Sequence, residues 1–134
     1  MCMKEIDELT DKVIALCEVP VLTTSPCFKE YNLKVGIAMS WTIYKSEGVH
    51  IMRSYLSKDA IFPLHEHETS VESLIVYDGS IEVIYEDLNH KEIVNVLNIG
   101  ESITLLKGVN HKIHSLEESK VVAILIPPES DSGD

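Results

Sequence analysis

Four of the six histidines stand in two short clusters, and only His50 and His90 lie apart from them. In Pro63-Leu64-His65-Glu66-His67 the imidazoles are two residues apart, so on a strand both project from the same face. Two neighbouring neutral imidazoles form half of a transition-metal site. Glu72 comes next, at an offset that would send it to the opposite face of a straight strand. The polar stretch Glu68-Thr69-Ser70 supplies the bend that returns it to the histidine side. Leu74 and Val76 then share its face, and Asp78-Gly79 beyond them is the strongest hairpin signal in the chain.

The second cluster runs from Gly100 to His111, with turns expected at Gly100 and Gly108 and a new strand opening at His111. Strand alternation groups His111 with Ile113 and Ser115 and leaves His114 on the other face. His114 is therefore read as a satisfied or exposed histidine, and His50 and His90 are given no role.

At these residues the chain resembles the cupin superfamily. The first cupin motif, G-x5-HxH-x3,4-E-x6-G, is met by His65, His67, Glu72 and Gly79. The second, G-x5-PxG-xx-H-xxx-N, is met by Gly100, Gly108 and His111. Asp59 replaces the opening Gly, Leu106 the Pro and Ser115 the final Asn; none of these is a ligand position. The resemblance covers about residues 50 to 128. It implies a double-stranded β-helix, or jelly-roll barrel, with one divalent metal held by His65, His67, Glu72 and His111.

Three imidazoles and a carboxylate suit Fe, Mn, Ni, Co, Cu or Zn rather than the oxygen-seeking Ca or Mg. Four protein ligands on a six-coordinate ion leave two positions for water, substrate or dioxygen, whereas a four-coordinate zinc would be closed. Inward candidates beside the ligands are Leu74, Val76, Ile81, Val83, Tyr85 and Ile113, a mostly apolar wall suited to a small organic molecule with an oxygen donor. Along Val49 to Leu56 one alternating set contains Arg53. Facing in, it would pair with a substrate carboxylate; the other reading is an ordinary surface arginine. Two functions follow: a small metal-dependent enzyme of dioxygenase or isomerase/lyase type, or a non-catalytic cupin that binds or senses a metal or small molecule.

The elements that must position this chemistry are mostly strands. From Leu33 onward, short β-branched and aliphatic runs alternate with turn signals: 34–37, 41–44, 49–56, 60–64, 73–77, 81–85, 93–97, 102–106, 111–116 and 121–126. No long helical pattern interrupts them, so the expectation is an all-β jelly roll rather than a parallel βαβ sheet. Ile6, Leu9, Val13, Leu16 and Cys17 form one face of an amphipathic N-terminal helix stopped by Pro20. The expected division is 1–32 for helix and connection, 33–128 for the barrel, and 129–134 for a mobile acidic tail.

A formal net charge of -11 opposes nucleic acid and anionic lipid as partners. Apolar runs are far too short to span a bilayer, and the charged start draws no signal peptide, so a cytoplasmic protein is expected. Cys2, Cys17 and Cys27 are odd in number and lack CxxC spacing, which points to ordinary thiols. The expected partners are a small-molecule ligand and a second copy in a homodimer.

Overall fold

The computed structural model describes residues 28–129. Ten strands follow one another along these residues: β1 (Phe28–Tyr31), β2 (Ala38–Lys45), β3 (His50–Leu56), β4 (Ile61–His65), β5 (Val71–Asp78), β6 (Ile81–Glu86), β7 (Glu92–Leu97), β8 (Ser102–Leu105), β9 (His111–Ser115) and β10 (Ser119–Ile126). They form two antiparallel sheets. One has six strands in the order β1-β2-β3-β10-β5-β8 and the other has four in the order β4-β9-β6-β7. This is an all-β jelly roll. The expected N-terminal helix lies outside the described residues, within which no helix is long and apolar enough to cross a membrane.

Alternation along the strands builds the interior. Leu74 and Val76 of β5, Val121 and Ala123 of β10, Ile81 and Val83 of β6 and Ile113 of β9 meet between the sheets. The six-stranded sheet is also apolar on its outer face. There Ile51, Ile75, Val122 and Ile124 form a second buried cluster. Strands apolar on both faces give no inside-outside signal by hydrophobicity alone.

Two local expectations differ from the structure. The run 34–37 is not a strand; β1 instead starts at Phe28, in a segment read as irregular connection, and pairs with β2 in register Phe28↔Trp41. Asp78-Gly79 is not a hairpin, because β5 pairs with β10 and β8 while β6 pairs with β9 and β7. It is a corner at which the chain changes sheet. Gly79 is required there for two reasons: its φ is +80°, and a Cβ would lie 2.4 Å from the Glu118 carbonyl oxygen.

Between β3 and β10 the chain repeatedly crosses from one sheet to the other, and this brings the two histidine segments together. β4 pairs with β9, setting His65 opposite His111, while β5 pairs with β8, setting Glu72 opposite Leu105. Each metal-motif segment is thus the hydrogen-bonded partner of the other.

Candidate metal centre

His65 closes β4 and His111 opens β9. Both turn an Nδ1–H back onto the main-chain carbonyl two residues earlier: His65 to Pro63 at 2.8 Å and His111 to Val109 at 3.0 Å. A carbonyl only accepts, so these contacts assign the proton to Nδ1 and leave each Nε2 with a lone pair. His67 lies just beyond β4, in a stretch tied to the second motif by Gly108, whose N–H donates to the His67 carbonyl at 2.9 Å. Gly108 has φ +81°, a left-handed turn that glycine adopts without steric cost. Glu72 follows the bend and enters on β5.

The four side chains converge. One ligand atom from each of His65, His67, Glu72 and His111 lies within 4.8 Å of the others. The imidazole centroids are 4.2 Å apart for His65 and His111, and 5.1 Å for His65 and His67. Glu72 Oε1 is 3.1 Å from His111 Nε2, and Glu72 Oε2 is 3.4 Å from His67 Nε2. Metal–ligand bonds of about 2.0–2.2 Å put neighbouring donors of one ion about 3 Å apart, so these spacings fit a single ion.

Electrostatics point the same way. His111 Nε2 and Glu72 Oε1 are buried without hydrogen-bond partners. With the His111 proton on Nδ1, this pair is a lone pair facing a carboxylate oxygen, which is repulsive unless a cation lies between them. Without an ion, the other way to relieve the pair is a proton on Nε2: burial pushes the Glu72 carboxyl up, but His111 and His67, donating to it, outweigh burial and hold the group down at about 2. Burial lowers His65, against the smaller opposing effect of its bond to Pro63. The carboxylate therefore stays ionised and His65 stays neutral at physiological pH, the states in which each ligates a metal.

A cavity of about 370 Å³ opens beside these residues. Leu74, Ile81 and Ile113 line it as expected, with Phe62, Met52 and Leu125 adding apolar wall. Val76 and Val83 are wholly buried in the core and do not line it. Tyr85 lies opposite His111 in the β6–β9 register, but its hydroxyl accepts from Asn95 Nδ2 at 3.0 Å and it does not line the cavity either. Arg53 is on the outer face of the six-stranded sheet, its guanidinium 5.2 Å from the Trp41 ring centroid. The inward set of β3 is the other one, with Met52, Ser54 and Leu56 on the cavity. Among the described residues lining it, Lys29 is the one lysine or arginine.

His114 points away from the centre and contacts Glu82 at 3.4 Å and Asp59 at 3.8 Å. Asp59 has φ +65°, so where the motif has Gly the backbone still makes the left-handed turn. Asp is among the few residues that tolerate it. The sequence reading missed Tyr31, which lines the cavity and packs edge-on against Phe62, itself against His65. It also missed Glu129, placed 3.2 Å from His67 Nδ1. Strand alternation could have flagged Tyr31 once β1 was known; no local pattern marks Glu129.

The fold has close relatives in shape. KdgF from Halomonas sp. superposes with a TM-score of 0.66 at 17% identity, over 84% of this chain and 99% of that one. A domain-sized part of oxalate decarboxylase from Bacillus subtilis, a protein with Mn(II) centres, superposes with a TM-score of 0.67 at 18% identity, covering 87% of this chain and 33% of the decarboxylase. The fold is that of a cupin. No family model matches the sequence. Germin-like protein subfamily 3 member 4 of Arabidopsis thaliana is 27% identical over 84 residues, which is 63% of this chain and 40% of that protein. The chain thus spans well under half of that curated relative. Within the cupin fold, the four converging side chains are the candidate metal site, and the cavity beside them is where a ligand would reach it.

Proposed function

We propose that this cupin is a small metal-dependent enzyme, of oxygenase or isomerase/lyase type, acting on a small organic molecule with an apolar body and an oxygen donor. The observation that carries the reading is the unpartnered His111 Nε2 and Glu72 Oε1, buried and opposed at 3.1 Å beside two further imidazoles. A divalent transition ion held by His65, His67, Glu72 and His111 would supply Lewis-acid polarisation or oxygen activation at its open positions. The chain does the rest. The Pro63 and Val109 carbonyls fix the donor tautomers, and the cavity wall of Leu74, Ile81, Ile113 and Phe62 excludes water from one side of the donors.

The same wall supports the substrate class. The chain's one arginine is outside, so apart from Lys29, which lies over the Tyr31 ring, a second carboxylate on a compact dianion would meet mostly apolar side chains. The non-catalytic alternative draws on the same cavity, whose ionisable lining residues among those described, apart from the ligands, are Lys29, Glu30, Tyr31 and Glu66. A homodimer in the cytoplasm completes the proposal. Val94 and Val96, about half exposed on the terminal strand β7 of the four-stranded sheet, support the dimer.

Elemental analysis of protein purified without chelator or affinity metal tests the site, with about one transition ion per chain expected. Anaerobic Fe(II)-loaded protein should then bind nitric oxide, and small chelating acids should compete. One ion per chain that is inert to both would leave a closed site and overturn the enzyme reading.

A further inference from the structure

Glu129 is a buried acid that the four-ligand set leaves unused. It follows Pro127-Pro128 just beyond β10, and Ser70 holds this stretch by donating its hydroxyl to the Pro127 carbonyl. The Glu129 side chain is only 8% exposed, and its Oε1 is buried with no hydrogen bond of its own.

Its position excludes it from the ligand set. The two nitrogens of an imidazole lie on different edges of the ring. His67 turns Nε2 to Glu72 at 3.4 Å and Nδ1 to Glu129 at 3.2 Å. Glu129 therefore stands behind the ligand. It stands on the Nδ1 side of His67, as the Pro63 and Val109 carbonyls do at His65 and His111, within contact distance but without the hydrogen bond those carbonyls accept. The difference is charge: two imidazoles are backed by neutral carbonyls and the third by a carboxylate. Glu72 and Glu129 bring two carboxyl groups to the buried imidazole cluster, and a divalent cation beside them would favour the ionised form of both.

We propose that Glu129 is a positioning residue of the metal centre, which orients His67 through Nδ1 and supplies the second charge that makes the buried centre neutral with a divalent ion. The inference rests on the metal reading above. Outer partners of ligating histidines govern affinity by about 10- to 100-fold.

The test titrates the full-length, metal-free chain with Co(II) against a competing chelator, reading the Kd and the visible d–d spectrum. Glu129→Ala should weaken Co(II) about 10- to 100-fold and change the spectrum. Glu129→Gln keeps an acceptor without the charge, so it should restore the wild-type spectrum while affinity stays below wild type. Metal-free melting temperatures should not fall in either variant, because each removes a buried acid whose Oε1 has no hydrogen bond. Wild-type affinity and spectrum in Glu129→Ala would overturn the proposal, as would an affinity loss matched by a lower metal-free melting temperature, which would mark Glu129 as merely structural. Absence of any Co(II) spectrum in the wild type would instead overturn the metal reading itself, and this inference with it.

Discussion

Strand β9 carries two histidines three residues apart, each facing carboxylate, and they have opposite fates. His111 is 1% exposed, with Glu72 at 3.1 Å; His114 is 31% exposed, with Glu82 at 3.4 Å and Asp59 at 3.8 Å. The His114 contacts are surface ion pairs, worth little because water screens them and the side chains must be ordered to form them. His111 is different in three respects. Its Nδ1 is committed to a carbonyl, its Nε2 has no hydrogen bond, and two more imidazoles converge on the same point. Proximity of histidine to acid is thus a poor mark of a metal site. Convergence of lone pairs with their tautomers fixed from behind is a good one.

The sharpest way to break this comparison is to exchange the two residues for alanine. His111→Ala should lower metal affinity more than about 100-fold, an extrapolation beyond the loss expected from an outer partner, whereas His114→Ala should leave metal content within about twofold. Equal losses, measured by elemental analysis after dialysis, would erase the distinction between the faces of β9.

Acid provides the second test. Protons compete with metal for imidazole, so bound metal should be released as pH falls below about 6. The metal-free protein should show a further acid limb. Glu72 is held at about 2 in the folded chain, below its ordinary 4.5. Its contribution to stability is present above about 4.5 and lost as pH falls toward 2, because the unfolded chain takes up the proton first. Chemical denaturation between pH 6 and 2.5 should show this limb in the wild type and a reduced one in Glu72→Gln.

Smaller effects sharpen the contrast between the faces of the six-stranded sheet. Arg53→Ala should leave metal and ligand binding unchanged and cost about 0.5–1 kcal/mol of stability through the lost stacking on Trp41; a loss of ligand affinity would return Arg53 to the cavity. Asp59→Gly, which restores the unstrained residue at φ +65°, should stabilise by no more than about 1 kcal/mol with metal content unchanged.

What was legible in the sequence follows from the same physics. His65, His67 and Glu72 stood out because metal chemistry admits few residue types and a bend can bring them to one face, whereas His111 joined them through the resemblance to the second cupin motif; the structure brings the four side chains together. The strand runs were readable because the inner faces of β5, β6 and β9 alternate. The side of Arg53 was left open because Val49 and Ile51 are apolar too: the outer face of β3 belongs to a second buried cluster, and hydrophobicity does not say which side is in. Asp78-Gly79 has the composition of a hairpin turn, but the jelly-roll crossing uses the same left-handed glycine to change sheets. Glu129 was illegible because its partner His67 is remote in sequence, and nothing in a polar tail announces burial.

The pairing of β4 with β9 also sets an order of events. His65 and His67 are neighbours from synthesis onward, but His111 reaches them only after an entire intervening sheet exchange has been completed. Contacts so distant along the chain close late, because loop entropy is lost before they form. The four donors meet only where β4 and β9 pair, so an ion that needs all four would bind the folded barrel and not the unfolded chain, and would stabilise the barrel by mass action.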